Sequence, residues 1–328
     1  MKTQYWVLFL DIKNKSIMKI VLGTMNFGPQ LDLEASRQMT ESFLKTENKE
    51  LDTAYVYNGG DTEKYLGEIL PKLDGYYLAT KVHPRITGKL DRECILMEFN
   101  ESLQRMNRDK VDLLYFHFPD GKTPIGEALE TVAELYEQGK VKELGLSNYP
   151  AWQVVNIWHQ CEKYGCPKPT VYQGMYNALC RNVEPELFPA IRHLGMRFYA
   201  FNPLAGGMLT GKHHSFEDAP EPGRFARLKS YRDRYWKQSY FDAVDEIRKA
   251  CEAERIPMVE AAYRWLCNHS RLDAAKGDGI LLGASKIAQM EQNMEAAKKG
   301  ELPQSILDAM DDAWEIAKPD SPAYFKFI

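Results

Sequence analysis

Short apolar runs alternate with longer segments of helical periodicity from residue 18 onward. The apolar runs predict strands at 19–23, 50–52, 76–82, 111–117, 141–146, 171–176, 197–201 and 280–282. Helical spacing of apolar residues predicts helices at 33–45, 62–70, 91–106, 125–138, 151–164, 185–194, 241–254 and 258–269, and from about 288 and 304 onward. The fourth run is almost continuously apolar, as a strand buried on both faces requires.

Eight strands, each followed by a helix, predict a single-domain (β/α)8 TIM barrel of class α/β over residues 18–328. A doubly wound sheet would also alternate, but the first strand is not followed by the G-x-G-x-x-G of a Rossmann fold. The segment from 202 to about 236 is too long for a plain connection, so it is predicted to be a lid or a ligand clamp. Residues 1–17 carry no periodic pattern, and we expect a poorly ordered, dispensable extension.

Composition excludes several classes of function. The formal net charge of −4 and the absence of a long basic run argue against nucleic-acid binding. The six cysteines show no zinc-type pairing, so we expect reduced thiols and no metal site. The apolar run at 5–10 is far shorter than the roughly 18 residues of a membrane span, and no cleavage site follows it. These features predict a cytoplasmic protein that has no membrane partner.

Four polar residues follow successive predicted strands. Asp52 ends the second strand and Tyr57 lies in the loop after it, while Lys81 and His117 end the third and fourth strands. Residues just beyond strand carboxyl ends face the active site of a barrel. Each residue alone has an ordinary structural explanation, as a cap, a loop aromatic, a surface charge or a strand-end histidine. Their joint placement at one mouth favours chemistry.

The four groups suit proton transfer to a carbonyl oxygen. A phenol has a pKa of about 10, so as a donor at neutral pH it benefits from a cation that stabilises the phenolate. Lys81 can be that cation, and Asp52 can hold the ammonium charged and in place. His117 can orient a carbonyl oxygen through a hydrogen bond.

Several separated motifs resemble those of the aldo-keto reductases, and in detail those of the aflatoxin aldehyde reductase branch. The motifs are Leu51-Asp52-Thr53-Ala54-Tyr55-Val56-Tyr57, Thr80-Lys81, Phe116-His117, Gly145-Leu146-Ser147-Asn148, Gln173-Gly174-Met175-Tyr176-Asn177, Phe201-Asn202-Pro203-Leu204-Ala205-Gly206-Gly207 and Gly283-Ala284-Ser285-Lys286. They occur in the family's order from about residue 18 to the end. The resemblance implies Tyr57 as general acid, Lys81 and Asp52 as its tuning pair, and His117 as the group that orients the carbonyl.

The resemblance also implies NADPH as the cofactor and assigns residues to each of its parts. Ser147, Asn148 and Gln173 would bind the nicotinamide amide, and Phe201 would lie against its ring. The pyrophosphate would follow Asn202, Leu204, Gly206 and Lys212. The adenosine phosphate would lie near Gly283, Ser285, Gln289, Gln292 and Asn293. In this branch, Tyr231 and Arg234 of the long loop would contact the substrate.

The chain departs from the family pattern at two positions. Lys326 stands where relatives of this branch usually have arginine near the C-terminus. The resemblance implies that Lys326 and Arg234 contact the substrate and favour a carboxylated aldehyde, with less orientation from the lysine because its ammonium has no planar fork. Gln289 stands where many aldo-keto reductases have arginine, which weakens a charge argument for NADPH over NADH.

We therefore expect NADPH-dependent reduction of small aldehydes, including dicarbonyl or carboxylated ones such as succinic semialdehyde. Because the branch often forms dimers, a homodimer is expected as well. Two alternatives stay open from the sequence. One is a barrel aldolase or isomerase in which Lys81 forms a Schiff base. The other is a redox-sensing, NADPH-binding subunit of the ion-channel-associated type, with slow turnover.

Overall fold

Eight parallel strands form one closed barrel in the order in which they occur along the chain. The computed structural model describes residues 17–218 and 223–327. The strands are β1 Lys19–Gly23, β2 Glu50–Asp52, β3 Tyr77–Val82, β4 Leu113–Phe116, β5 Glu143–Ser147, β6 Val171–Met175, β7 Arg197–Phe201 and β8 Gly279–Leu282. The predicted (β/α)8 fold is confirmed. The expected extension at 1–17 lies outside the described residues except for its last residue.

Helices surround the barrel. They are α1 Leu33–Leu44, α2 Asp61–Ile69, α3 Pro84–Thr87, α4 Arg92–Met106, α5 Ile125–Glu137, α6 Ala151–Lys163, α7 Leu187–His193, α8 Arg224–Arg227, α9 Lys229–Tyr235, α10 Gln238–Ala253, α11 Met258–Asn268, α12 Ile287–Lys298 and α13 Gln304–Ala317. None of these described helices is long and apolar enough to cross a membrane. Three short ones, α3, α8 and α9, contribute to the mouth of the barrel.

The segment after β7, predicted as one long loop, contains ordered turns. A 3₁₀ stretch occupies Ala205–Thr210, and α8 and α9 follow it with four and seven residues. Helices this short complete no more than two turns, so their apolar periodicity is too brief to be recognised in a sequence. The same reason accounts for α3, a four-residue helix between β3 and α4 that was not predicted.

The barrel interior is a separate apolar cluster inside the ring of strands. Its buried members are Val21, Ala79, Leu113, Tyr115, Val171, Tyr199 and Leu281. Below them, at the amino-terminal ends of the strands, Glu50 accepts hydrogen bonds from Lys19 at 3.3 Å and from Tyr199 at 2.9 Å. This polar layer lies at the barrel face that contributes to stability, so the opposite face is left for ligands.

One large interior side chain depends on a glycine in the next strand. Tyr115 of β4 pairs with Gly145 of β5, and a Cβ at residue 145 would lie 2.4 Å from the Tyr115 ring. The same ring lies 5.5 Å from the Lys81 ammonium. Gly145 therefore lets a fully buried tyrosine form the floor beneath that lysine.

Replacing Gly145 with alanine should lower the free energy of unfolding by about 1 to 3 kcal/mol, because the added Cβ must displace the Tyr115 ring. The matched control is Gly23→Ala in β1, where the nearest atom to an added Cβ is the Leu282 carbonyl oxygen at 3.6 Å. Thermal unfolding followed by circular dichroism compares the two variants. Equal midpoints would contradict the close packing of Tyr115 on residue 145.

Candidate active site

The carboxyl ends of the strands open into a cavity of about 850 Å³. This volume lies within the range of about 300 to 1,000 Å³ that is typical of ligand sites. The cavity is lined by most of the residues predicted from the sequence, namely Asp52, Tyr57, His117, Ser147, Asn148, Gln173, Phe201, Asn202, Leu204, Gly206, Lys212, Tyr231, Arg234, Gly283, Ser285, Gln289, Gln292 and Asn293. Within the described residues, no group of His, Cys, Asp or Glu side chains could hold a metal ion.

Lys81 lies beneath the cavity wall and is 0% exposed. Its ammonium donates hydrogen bonds to Asp52 Oδ1 at 2.5 Å, to the Thr53 carbonyl oxygen at 2.6 Å and to the Tyr57 hydroxyl at 3.5 Å. Because β2 and β3 are neighbours in the barrel, these groups meet without a long loop. The three contacts account for all three hydrogens of the ammonium and fix its direction.

Asp52 is bound on both carboxylate oxygens. Lys81 contacts Oδ1, and the side-chain amide of Gln173 donates to Oδ2 at 2.8 Å. The sequence assigned Gln173 to the nicotinamide amide alone, whereas the structure also makes it a partner of Asp52. This second role has no sequence signal, because it joins β2 to β6 across the barrel mouth.

Burial acts against the charged forms of the whole cluster. Desolvation raises the pKa of Asp52 and lowers the pKa of Lys81, and the attraction between the two charges opposes both shifts. Burial, and then the nearby Asp52, raise the pKa of Tyr57 well above 10. The one opposing influence on this pKa is the charge of Arg224, and burial and Asp52 outweigh it. Tyr57 therefore holds its proton at neutral pH.

His117 contacts Tyr57 from the side, with ring centroids 6.0 Å apart and the planes nearly perpendicular. Burial, followed by the charge of Lys81, lowers the pKa of His117 well below 6.5. Its ring is therefore a neutral hydrogen-bonding group. Nδ1 is buried and has no hydrogen-bond partner within the described residues. Asn148 donates to the His117 carbonyl oxygen at 2.9 Å, which ties the end of β4 to the end of β5.

His83 is a site residue that the sequence reasoning missed. It lines the cavity, and its ring centroid lies 4.8 Å from that of His117. Its Nδ1 accepts the Arg85 backbone N–H at 2.8 Å, so the neutral ring carries its proton on Nε2. Burial lowers the pKa of His83 to about 4. The signal was available, because Lys81 and His83 are two residues apart and so share one face of the extended chain.

The segment after β7 folds back over the mouth. Tyr231 donates a hydrogen bond to Asn202 Oδ1 at 3.2 Å, and Asn202 donates to the Tyr235 hydroxyl at 3.2 Å. Gly206 has a φ of 70°, and a Cβ there would lie 2.9 Å from the Tyr231 ring. The Arg234 guanidinium lies 5.3 Å from the Tyr231 ring centroid. These contacts hold α9 against the strand end.

The opposite end of the cavity contains the start of α12. The Gln289 side-chain oxygen accepts hydrogen bonds from the backbone N–H and the hydroxyl of Ser285, at 3.2 and 3.0 Å. The N-cap residue Lys286 makes no side-chain capping bond, so backbone N–H groups of the first turn are available to a ligand. A helix start of this kind is suited to an anion.

Lys326 occupies a different place from the other predicted substrate residues. Its backbone N–H donates to the Asn148 carbonyl oxygen at 3.2 Å, which brings the C-terminal segment to the edge of the site. Its side chain is exposed and does not line the cavity. Its contact with substrate stays a prediction.

The low pKa values of His83 and His117 should be visible by NMR. We expect the imidazole signals of both residues to stay constant between about pH 5.5 and 8, because both rings remain neutral there. Spectra of the His83→Gln and His117→Gln variants assign the signals. In urea, the same signals should titrate near the ordinary value of about 6.5. A titration step near 6.5 in the folded protein would contradict the burial of these rings.

Comparison with known proteins identifies the family of this chain. The family model described as "Aldo/keto reductase family" matches residues 19–315. The human "Aldo-keto reductase family 7 member A3" is 42% identical over 320 residues, which cover 93% of this chain and 96% of the relative. The human "Aflatoxin B1 aldehyde reductase member 2" is 42% identical over 93% of this chain and 89% of the relative. The chain therefore belongs to the aldo/keto reductase family and is an oxidoreductase.

Proposed function

We propose that the protein reduces small aldehydes to alcohols with NADPH, and that Tyr57 is the general acid. The observation that carries this proposal is the buried Lys81 ammonium, which is fixed by Asp52 and Thr53 and directed at the Tyr57 hydroxyl. One of the two compared relatives is named an aldehyde reductase, which supports the same reaction class.

The cavity has groups suited to each part of NADPH. The uncapped start of α12 beside Ser285 provides N–H donors for a phosphate. Ser147, Asn148, Gln173 and Phe201 would hold the nicotinamide, with Asn202, Leu204, Gly206 and Lys212 along the pyrophosphate. Gly283, Ser285, Gln289, Gln292 and Asn293 would hold the adenosine phosphate. When bound, NADPH supplies the hydride that reduces the carbonyl carbon.

The protein's own residues would transfer and position the proton. The neutral His117 ring donates a hydrogen bond to the carbonyl oxygen, and the Tyr57 hydroxyl delivers its proton to that oxygen as negative charge develops. The phenolate that forms lies near the Lys81 ammonium, which remains paired with Asp52. The ammonium therefore acts on Tyr57 mainly after the proton has left, when the attraction is strongest.

The Schiff-base alternative does not fit the position of Lys81. An amine that attacks a carbonyl must reach it unprotonated, but Lys81 is fully buried, bonded to Asp52 and absent from the cavity lining. The redox-sensing alternative shares the proposed cofactor site. It differs in turnover, since tight NADPH binding with slow reduction of every aldehyde tested would favour it. A homodimer and a cytoplasmic location stay predictions.

Replacing Tyr57 with phenylalanine should lower kcat by roughly 10²-fold or more, the usual scale for loss of a general acid, while NADPH binding stays nearly unchanged. NADPH oxidation with a panel of aldehydes measures turnover, and fluorescence titration measures binding. Tyr55→Phe is the control, because the Tyr55 hydroxyl bonds Glu101 and lies outside the cavity. Near-normal turnover by the Tyr57 variant would rule out this mechanism.

Arg234 should favour aldehydes that carry a carboxylate. It lines the cavity, and no carboxylate in the described ranges forms an ion pair with it. Loss of a charge-assisted contact costs about 1.5 to 3 kcal/mol, so Arg234→Ala should raise KM for succinic semialdehyde about tenfold or more. KM for butanal should barely change. Arg232→Ala is the matched control, since Arg232 is exposed on the same helix and does not line the cavity.

If the Arg234 variant treats the charged and neutral aldehydes alike, the natural substrate is uncharged at this position. If Arg232→Ala gives the same change as Arg234→Ala, the effect comes from the overall charge of α9 and the direct contact is wrong.

A further inference from the structure

We propose that Arg85 is the second cation that selects a carboxylated aldehyde, and that it forms a clamp with Arg234 in place of Lys326. The inference rests on the proposed aldehyde reduction and adds a residue that no motif in the sequence pointed to. It concerns the catalytic end of the cavity, where the substrate must lie to reach Tyr57.

Backbone contacts place Arg85 next to the catalytic histidine. Arg85 is the second residue of α3, directly beyond β3, and its N–H donates to His83 Nδ1 at 2.8 Å. The His83 ring lies edge-on to the His117 ring, with centroids 4.8 Å apart. Arg85 lines the same cavity as His117 and Tyr57. The hydrogen bond to His83 therefore fixes the backbone of Arg85 at the cavity wall, although its side chain is exposed to solvent.

The Arg85 guanidinium is available for a ligand. In the described part of the chain no carboxylate forms an ion pair with it, whereas the next cations along the chain have partners: Lys89 pairs with Asp91, and Arg92 pairs with Glu134. Its charge also acts on the site, since it adds to the burial that lowers the pKa of His117. An unpaired guanidinium at a cavity mouth has the planar fork that binds a carboxylate bidentately.

Arg234 supplies a second fork from a different element. Its guanidinium lies 5.3 and 5.8 Å from the ring centroids of Tyr231 and Tyr235 and has a hydrogen bond to the Tyr235 side chain, so its remaining N–H groups are available to a ligand. The phosphates of the proposed cofactor have other donors, at the start of α12 and at Lys212. Arg224 also lines the cavity, but it donates a hydrogen bond to Asn26 at 3.1 Å. Arg85 and Arg234 are therefore left for the substrate. They fit a short aldehyde with a carboxylate a few bonds from the carbonyl.

Lys326 is less suited to this task. Its side chain is exposed and outside the cavity lining, and an ammonium offers a point charge without a planar fork.

The test compares kcat/KM for succinic semialdehyde with kcat/KM for butanal, which has the same number of carbons and no charge. Arg85→Gln should lower the ratio of the two values about tenfold or more, and Arg85→Lys should restore part of it. Lys89→Gln is the matched control, because Lys89 is an exposed cation just beyond α3 that does not line the cavity. A ratio that stays within about twofold in Arg85→Gln, or that falls in Lys326→Gln instead, would overturn the inference.

A clamp formed by both arginines predicts that their substitutions have non-additive effects. If both arginines bind one carboxylate, the Arg85→Gln/Arg234→Gln double variant should lower the ratio of the two kcat/KM values by less than the product of the two single-variant factors. Fully multiplicative losses would show that the two residues do not share an anion, and the clamp would be wrong.

Binding without turnover separates this inference from the proposed reaction. Calorimetry with the NADP⁺-saturated enzyme measures butanoate, a carboxylate probe, and butanamide, its neutral match. Arg85→Gln should weaken butanoate about tenfold and leave butanamide unaffected. If the wild-type protein reduces no aldehyde but Arg85→Gln still weakens butanoate binding relative to the wild type, the proposed function fails and the anion site stands. If Arg85→Gln changes the affinities for butanoate and butanamide equally, the proposed anion site is wrong, even if the protein reduces aldehydes.

Discussion

The burial of Lys81 beside Asp52 is the constraint on which the rest of the site depends. Removing two charges from water costs several kcal/mol for each ion, and their attraction offsets this only when every remaining donor and acceptor is bonded. Thr53 and Gln173 complete the pair, so its contacts involve three strands of the barrel. The Tyr115 ring beneath, which requires a glycine at 145, keeps water from the lower side.

The same burial divides the chemical roles among neighbouring groups. Desolvation keeps the Tyr57 phenol protonated and keeps the His117 and His83 rings neutral. A protonated phenol can donate, and a neutral imidazole can orient without competing as an acid. The Lys81 ammonium is thereby left as the fixed positive charge nearest to Tyr57. A group that cannot leave its partners adds little reorganisation when the phenol loses its proton.

The sequence predicted the barrel and the four strand-end residues because both depend on local pattern and on the order of elements. It could not predict the Thr53 carbonyl or the Gln173 contact to Asp52, since these arise from the register between strands. The short helices after β7 complete too few turns to show periodicity. Arg85 carried no signal, because its relevance depends on a backbone hydrogen bond to His83. Lys326 was predicted from the resemblance, and its exposed side chain does not line the cavity.

The charge of the cavity differs in sign from the charge of the whole protein. The chain carries a formal net charge of −4, yet Arg85, Lys212, Arg224 and Arg234 line the cavity. Asp52 is the acidic residue among the described lining groups, and Lys81 already neutralises it. A concave, low-dielectric site concentrates the field of such charges, so anionic ligands are attracted to the mouth although the surface as a whole repels them. In the proposed clamp, Arg85 and Arg234 would extend this selection for negative charge from the cofactor to the substrate.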